Sequence, residues 1–193
     1  MTLVAITGGI GSGKSVVATI VQVMGYEVYD CDRRAKALMT ENNDVRQQIT
    51  DAFGSESYHA DCSLNRQHLS AAVFADKVAL AHLNGIVHPA TAADMKRWAQ
   101  SCADLGDRVA FVETALLRTA GLDRLVDEIW HVTAPHDVRI PRVMLRSGLT
   151  AAQVKERIDV QQIEENVAPG EHVIVNDGIK AVMPQVIQLL EAI

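Results

Sequence analysis

Apolar and polar positions along the chain follow two periods. Five short apolar runs, TLVAIT (2–7), EVYD (27–30), RVAFVE (108–113), EIWHVT (128–133) and HVIVN (172–176), are set between polar or glycine-containing stretches. Several are continuous and do not alternate, as strands covered on both faces do. Between them the period lengthens. KSVVATIVQVMG (14–25) repeats apolar residues at helical spacing and stops at Gly25, a helix-ending residue. MPQVIQLLEAI (183–193) reads as a closing amphipathic helix. This alternation predicts an α/β fold with a mainly parallel five-stranded sheet.

Two stretches interrupt it. Residues 33–107 carry the helical patterns RRAKALM (33–39), NDVRQQITDAF (43–53) and HLSAAVFADKVALAHLNGIV (68–87). They predict a helical insertion between the second and third strands. Residues 136–168 contain DVRIPRVMLRSGLTAAQVKERIDVQQ (137–162), with Pro141 expected at a helix start or bend. A further helix there is capped by Thr150. The expected organisation is one domain: a core of 1–32, 108–135 and 169–193, a helical insertion of 33–107, and a helical lid of 136–168. No repeat or low-complexity linker divides it.

Composition narrows the class. At 193 residues, 48% of them apolar, the chain can bury a real core. Aromatics are only 4% and the net charge is −6, which argues against base-stacking surfaces and broad nucleic-acid binding. No apolar run reaches membrane-span length, and no basic segment followed by a long apolar one opens the chain. The cysteines, Cys31, Cys62 and Cys102, are odd in number and far apart, which fits a reducing compartment and neither a disulfide frame nor a zinc site. The expectation is a cytoplasmic protein with no membrane, nucleic-acid or protein partner.

The chemistry starts between the first strand and the first helix. Gly8, four residues, then Gly13-Lys14-Ser15 is a P-loop pattern in the right context. Glycines let the backbone curl so that its N–H groups converge on phosphate oxygens, and the following helix adds its positive end. Gly9, Ile10, Gly11, Ser12, Gly13, Lys14, Ser15 and Val16 are the expected nucleotide-binding residues. Lys14 reaches the β- and γ-phosphates, and the Ser15 hydroxyl is the candidate ligand of Mg²⁺. No third glycine makes this a dinucleotide fingerprint. No Asn-Lys-x-Asp segment reads guanine, and a motor needs a longer chain. A small-molecule kinase using ATP and Mg²⁺ fits, because lids that exclude water belong to phosphoryl transfer.

The second strand ends in YDCDRRAK (29–36). In an extended segment Asp30 and Asp32 point the same way, at the ligand edge of the sheet. One of them takes the proton of an acceptor hydroxyl or orients the metal through water; otherwise they are a turn and a helix N-cap. His88, after an apolar helical pattern, reads unaided as a packed or capping histidine. Arg139, Arg142, Arg146 and Arg157 are either a solvated basic face or a clamp for charge on the transferred group. Arg142 and Arg146 are four apart and share a helix face.

AITGGIGSGKS (5–15), VYDCDRRAK (28–36), VFAD (73–76), LNGIVHPAT (83–91) and RSGLTAAQVKERI (146–158) together resemble the dephospho-coenzyme A kinase family in order and spacing. The resemblance covers nearly the whole chain. It implies a fold similar to nucleoside-monophosphate kinases, with a P-loop core, a helical substrate domain and a lid. It implies transfer of the ATP γ-phosphate to the ribose 3′-hydroxyl of dephospho-coenzyme A. It makes Asp32 the general base supported by Asp30, and puts His88 with Pro89 at the acceptor. LNRQHL (64–69) resembles the family's segment ahead of VF, which makes Arg66 either a ligand of acceptor phosphate or a solvated side chain. Lys14, Asp32, Arg142 and Arg146 form the implied catalytic set. Three segments depart from the family. Arg118-Thr119 follow Leu116-Leu117 where many members have Phe-Glu, QQIEENVAPGEH (161–172) is acidic rather than basic, and VIVN (173–176) replaces VIDN. Glu113, at the third strand's end, is a candidate carboxylate near Mg²⁺. The altered LLRT segment leaves two alternatives open: another small hydroxylated acceptor, or a nucleotide-binding homologue with weak or lost catalysis.

Overall fold

The computed structural model describes residues 1–74 and 76–193. Strands β1 (Thr2–Thr7), β2 (Glu27–Asp30), β3 (Val109–Glu113), β4 (Glu128–Thr133) and β5 (His172–Val175) pair in parallel in the order β2-β3-β1-β4-β5. The sheet is the five-stranded parallel one expected. β1 lies at its centre, and Val4, Ala5 and Ile6 are fully buried there. That burial on both faces is why TLVAIT is apolar without alternation.

The chain divides into two units, one of Met1–Asp30 with Ala99–Ile193, the other of Cys31–Trp98. In the first, helix α1 (Lys14–Val23) buries Val17, Ala18 and Val21 against Val4, Ile6, Phe111 and Trp130. Each large side chain so buried stabilises the fold by roughly 1.5–3 kcal/mol. The Phe111 and Trp130 rings meet edge to face at 5.1 Å between centroids. Met24 caps α1, and Gly25 follows at φ +96°, the left-handed turn its sequence position suggested.

In the second unit, helices α2 (Cys31–Glu41), α3 (Asn43–Phe53), α4 (Arg66–Phe74) and the part of α5 (Lys77–Leu105) up to Trp98 pack around Val45, Ile49, Leu69, Ile86 and Val87. Arg34 on α2 bonds Asp94 on α5 at 3.0 Å. Beyond β4, the first unit continues through α6 (His136–Ser147), α7 (Ala151–Val160) and α8 (Gln162–Glu165), and α9 (Val182–Leu190) returns to the sheet and buries Val186. Thr150 caps α7 with a full capping box.

Four local expectations change. The single helical run of 68–87 is two helices, because Asp76 accepts the N–H groups of Val78 at 2.7 Å and Ala79 at 3.3 Å and starts α5. Ala75, inside the VFAD segment, lies outside the described residues. His88 does not follow a helix; it sits within α5, which runs on through Pro89. Of the two expectations for Pro141, a helix start or a bend, the first falls: it lies inside α6, where the N–H it lacks forgoes one helical bond. Asp30 and Asp32 are not in one extended segment. β2 ends at Asp30 and α2 begins at Cys31, so the reasoning that both side chains point the same way fails.

Candidate active site

The sharpest geometry in the first unit is the turn from β1 into α1. Gly13 is the N-cap of α1 in the left-handed region, at φ +100°. Gly8 and Gly11 also have positive φ, +139° and +78°, where side chains are strained. A Cβ on Gly8 would stand 2.1 Å from the Val132 carbonyl oxygen, and one on Gly13 would stand 1.9 Å from Asn176 Nδ2. The Lys14 ammonium donates to the Gly8 and Gly9 carbonyls at 2.8 and 3.3 Å. Ser15 is exposed on the first turn of α1. Thr7 Oγ1 and Ser12 Oγ are buried at this turn with no hydrogen-bond partner among the described residues. A curled, glycine-dependent backbone at a helix N-terminus is suited to an anion such as a phosphate chain.

Helices α6 to α8 supply the surroundings of this loop. Arg139, only 4% exposed, donates from Nε to the Ile10 carbonyl at 2.7 Å and from Nη2 to Glu165 at 2.6 Å. Burial alone would raise the Glu165 pKa, but Arg139, and His136 at 3.6 Å, hold the carboxyl below its ordinary range. Gln161 Oε1 accepts the Ile10 N–H at 2.8 Å. Arg142 donates to the Asn176 carbonyl at 2.9 Å, while the Asn176 side chain donates to the Ser12 carbonyl at 2.9 Å. Arg142 and Arg146 both lie on α6, and Arg146 is exposed in its last turn. Arg157 is exposed on α7.

Register places Asp30 beside Glu113 at the ends of β2 and β3, the edge from which the glycine loop also leaves β1. No group of three or more His, Cys, Asp or Glu suited to a metal occurs among the described residues.

Two of the segments that depart from the family pattern, Arg118-Thr119 and 161–172, meet each other. Glu164, fully buried, accepts the backbone N–H groups of Arg118 at 3.1 Å and Thr119 at 2.8 Å. The Arg118 guanidinium pairs with Glu171. Glu171 also faces His131 Nδ1 at 3.5 Å. Burial pushes His131 below its ordinary value; Glu171 opposes this and Arg118 adds to it.

The second unit holds the remaining candidates. Asp32 is exposed in the first turn of α2, one turn before Lys36. A cavity of about 340 Å³ is lined by Lys36, Ala37, Thr40, Ser63, Leu64 and Arg66. It brings Arg66 and Lys36 together, and His88 is not among its lining residues. His88 is half-buried on α5, and burial lowers its pKa. Sequence reasoning missed Gln161, Glu164, Glu165, Glu171, His131 and Asn176. The acidic run at 161–172 and the VIVN segment (173–176) were the visible signals, and neither gave a hint of which partners it meets.

Comparison with known proteins supplies the rest. A family model described as dephospho-CoA kinase matches residues 2–181. The dephospho-CoA kinase of Porphyromonas gingivalis is 37% identical over 196 residues, covering 100% of this chain and 95% of the relative. That of Salinibacter ruber is 40% identical over 179 residues, covering 92% and 90%. Among solved structures, a Thermus thermophilus protein aligns with a TM-score of 0.77 at 27% identity, over 99% of this chain and 95% of that one. The dephospho-CoA kinase of Campylobacter jejuni, at 22% identity and a TM-score of 0.72 over 98% and 95%, has the same fold.

Proposed function

This chain belongs to the dephospho-coenzyme A kinase family, and on that premise we propose how its own residues divide the reaction. The enzyme uses ATP to phosphorylate the ribose 3′-hydroxyl of dephospho-coenzyme A, giving coenzyme A and ADP. Relatives of that one name favour this acceptor over another hydroxylated molecule and over a homologue without catalysis. The observation that carries the reading is the glycine-dependent loop, with Lys14 opening the helix behind it, inside a match spanning residues 2–181.

Lys14 and the loop amides hold the ATP phosphates and keep the γ-phosphoryl group facing the acceptor, except the N–H groups of Ile10, Ser12 and Val16, which are bonded to Gln161, Gly9 and Gly13. The Ser15 hydroxyl would hold Mg²⁺ together with phosphate oxygens, and the ion would supply neutralisation of charge on the triphosphate. Asp32 accepts the proton of the 3′-hydroxyl as that oxygen bonds to phosphorus, and its exposure on the first turn of α2 supports that role. The 3′-oxygen gains the phosphoryl group, ADP leaves with the bridging oxygen's electron pair, and the proton passes to Asp32. Arg142 and Arg146 stabilise charge spread over the transferred group, and Asp30 supports Asp32. Arg66 and Lys36 line a cationic cavity suited to the acceptor's diphosphate, and His88 contributes to acceptor binding. A cytoplasmic location completes the proposal, and it fits three cysteines that are odd in number and far apart in sequence.

ADP release tests this reading. With ATP and Mg²⁺, dephospho-coenzyme A should accelerate ADP formation far above the rate seen with adenosine or water as acceptor. Equal rates with and without dephospho-coenzyme A would overturn it.

A further inference from the structure

Ile10, inside the phosphate-binding loop, is held on three sides by the helices beyond β4. Its N–H donates to Gln161 Oε1 at 2.8 Å, and its carbonyl accepts from Arg139 Nε at 2.7 Å. Its side chain packs against the small core of Val143, Val154 and Ile158. Both backbone hydrogen-bonding groups of this residue are therefore satisfied from elements more than a hundred residues away in sequence.

The glycines on either side are fitted to the same helices. A Cβ on Gly9 would come within 2.3 Å of Arg139 Nη2 and 2.4 Å of Glu165 Oε1. A Cβ on Gly11 would come within 2.8 Å of Val143 Cγ2 and 2.9 Å of the Arg139 carbonyl oxygen. Gly11, at φ +78° and against the Arg139 backbone, needs glycine for the close approach of α6, whatever the loop binds, while a Cβ on Gly9 would displace the ends of the Arg139 and Glu165 side chains. Arg139 is itself fixed. It is 4% exposed, and its second bond ends on Glu165. A guanidinium so occupied is spent on the loop and on Glu165 and is not the charge clamp its sequence position suggested.

We propose that Arg139, Gln161 and Glu165 are positioning residues that set the curl of the phosphate-binding loop by gripping it at Ile10. The loop's N–H groups bind phosphate only when the backbone turns them inward together, and a turn pinned at Ile10 keeps them so before ATP arrives. The packing of α6 to α8 thereby tunes ATP affinity without any of the three residues touching nucleotide. The inference rests on ATP binding at the P-loop and is independent of the acceptor's identity.

The test is ATP binding by titration calorimetry on the full chain, alongside KM for dephospho-coenzyme A and a thermal melt. Gln161→Met removes the acceptor of the Ile10 N–H at nearly constant volume. It should weaken ATP binding about tenfold, leave the KM for dephospho-coenzyme A unchanged, and melt within a few degrees of the parent. Arg139→Lys keeps the charge toward Glu165 but offers no second rigid donor arm. It should show the same split, with a smaller loss than Arg139→Met. ATP affinity within twofold of the parent in a folded Gln161→Met or Arg139→Lys protein would overturn the proposal. So would a rise in the dephospho-coenzyme A KM with ATP affinity intact. Loss of activity toward dephospho-coenzyme A alone, in the parent, would overturn the acceptor assignment and leave this inference standing.

Discussion

Glu164 offers the cleanest stability test, because its role is purely structural. Its carboxylate has no exposure to solvent and accepts two backbone N–H groups, from Arg118 at 3.1 Å and Thr119 at 2.8 Å. Glu164→Ala strands both donors. Each unsatisfied group costs about 1–3 kcal/mol. Relief from burying a carboxylate offsets part of this, so the net loss is about 3 kcal/mol. For a chain of this size, 1 kcal/mol corresponds to roughly 2–4 °C, which makes the expected fall in Tm about 6–12 °C. Glu164→Gln keeps one carbonyl acceptor but turns an amide N–H₂ toward the other donor, and it should lose about half as much. Melting followed by far-UV circular dichroism reads both variants. An alanine variant melting within 2 °C of the parent would refute the reasoning. A glutamine variant as damaged as alanine would show that the charge matters and the number of accepted bonds does not.

Three further outcomes follow from the same geometry. Asp32→Asn should lower kcat by about a hundredfold or more, as loss of a general base does, while ATP affinity measured by titration stays within a few-fold; near-normal kcat would remove Asp32 from the chemistry. Gly8→Ala should cost about 3 kcal/mol or more in urea unfolding and abolish tight ATP binding, since the new Cβ meets a backbone carbonyl at 2.1 Å and a φ of +139°; normal ATP binding would contradict the loop geometry. His131 and Glu165 both have folded pKa values below their unfolded ones, so each contributes stability that is present at neutral pH and lost on acidification. Tm should begin to fall below about pH 6.5 as unfolded His131 takes up a proton, and fall further near pH 4 as Glu165 does. His131→Phe should remove the first part of that fall and leave the second.

Local signals carried much of this protein's architecture. The five apolar runs became the five strands, with β3 starting at Val109 instead of Arg108 and β5 ending at Val175 instead of Asn176. Thr150 announced α7 because a capping box is written in residues three apart. The P-loop was legible for the same reason: its glycines, lysine and serine are neighbours in sequence. Asp32 was harder. Asp-x-Asp reads equally as strand or helix start, and the structure chose the helix one residue earlier than an extended reading allows. Pro89 was harder still, because α5 is long enough to absorb the lost bond and continue. The contacts around the loop were out of reach. Gln161 and Ile10 are 151 residues apart, Arg139 and Ile10 are 129, and Glu164 and Thr119 are 45. No local pattern says which buried acid meets which amide. The unfamiliar Arg118-Thr119 and the acidic 161–172 stretch looked like separate departures until the fold brought Glu164 and Glu171 onto them.

The central claim is that the phosphoryl group goes to one particular oxygen. Incubating the protein with ATP, Mg²⁺ and dephospho-coenzyme A and examining the product by mass and ³¹P NMR tests it directly. The expected result is stoichiometric ADP and a product one phosphoryl group heavier, with a monoester resonance coupled to the ribose 3′-proton. Phosphate found on any other hydroxyl, or ADP formed with dephospho-coenzyme A unchanged, would contradict it.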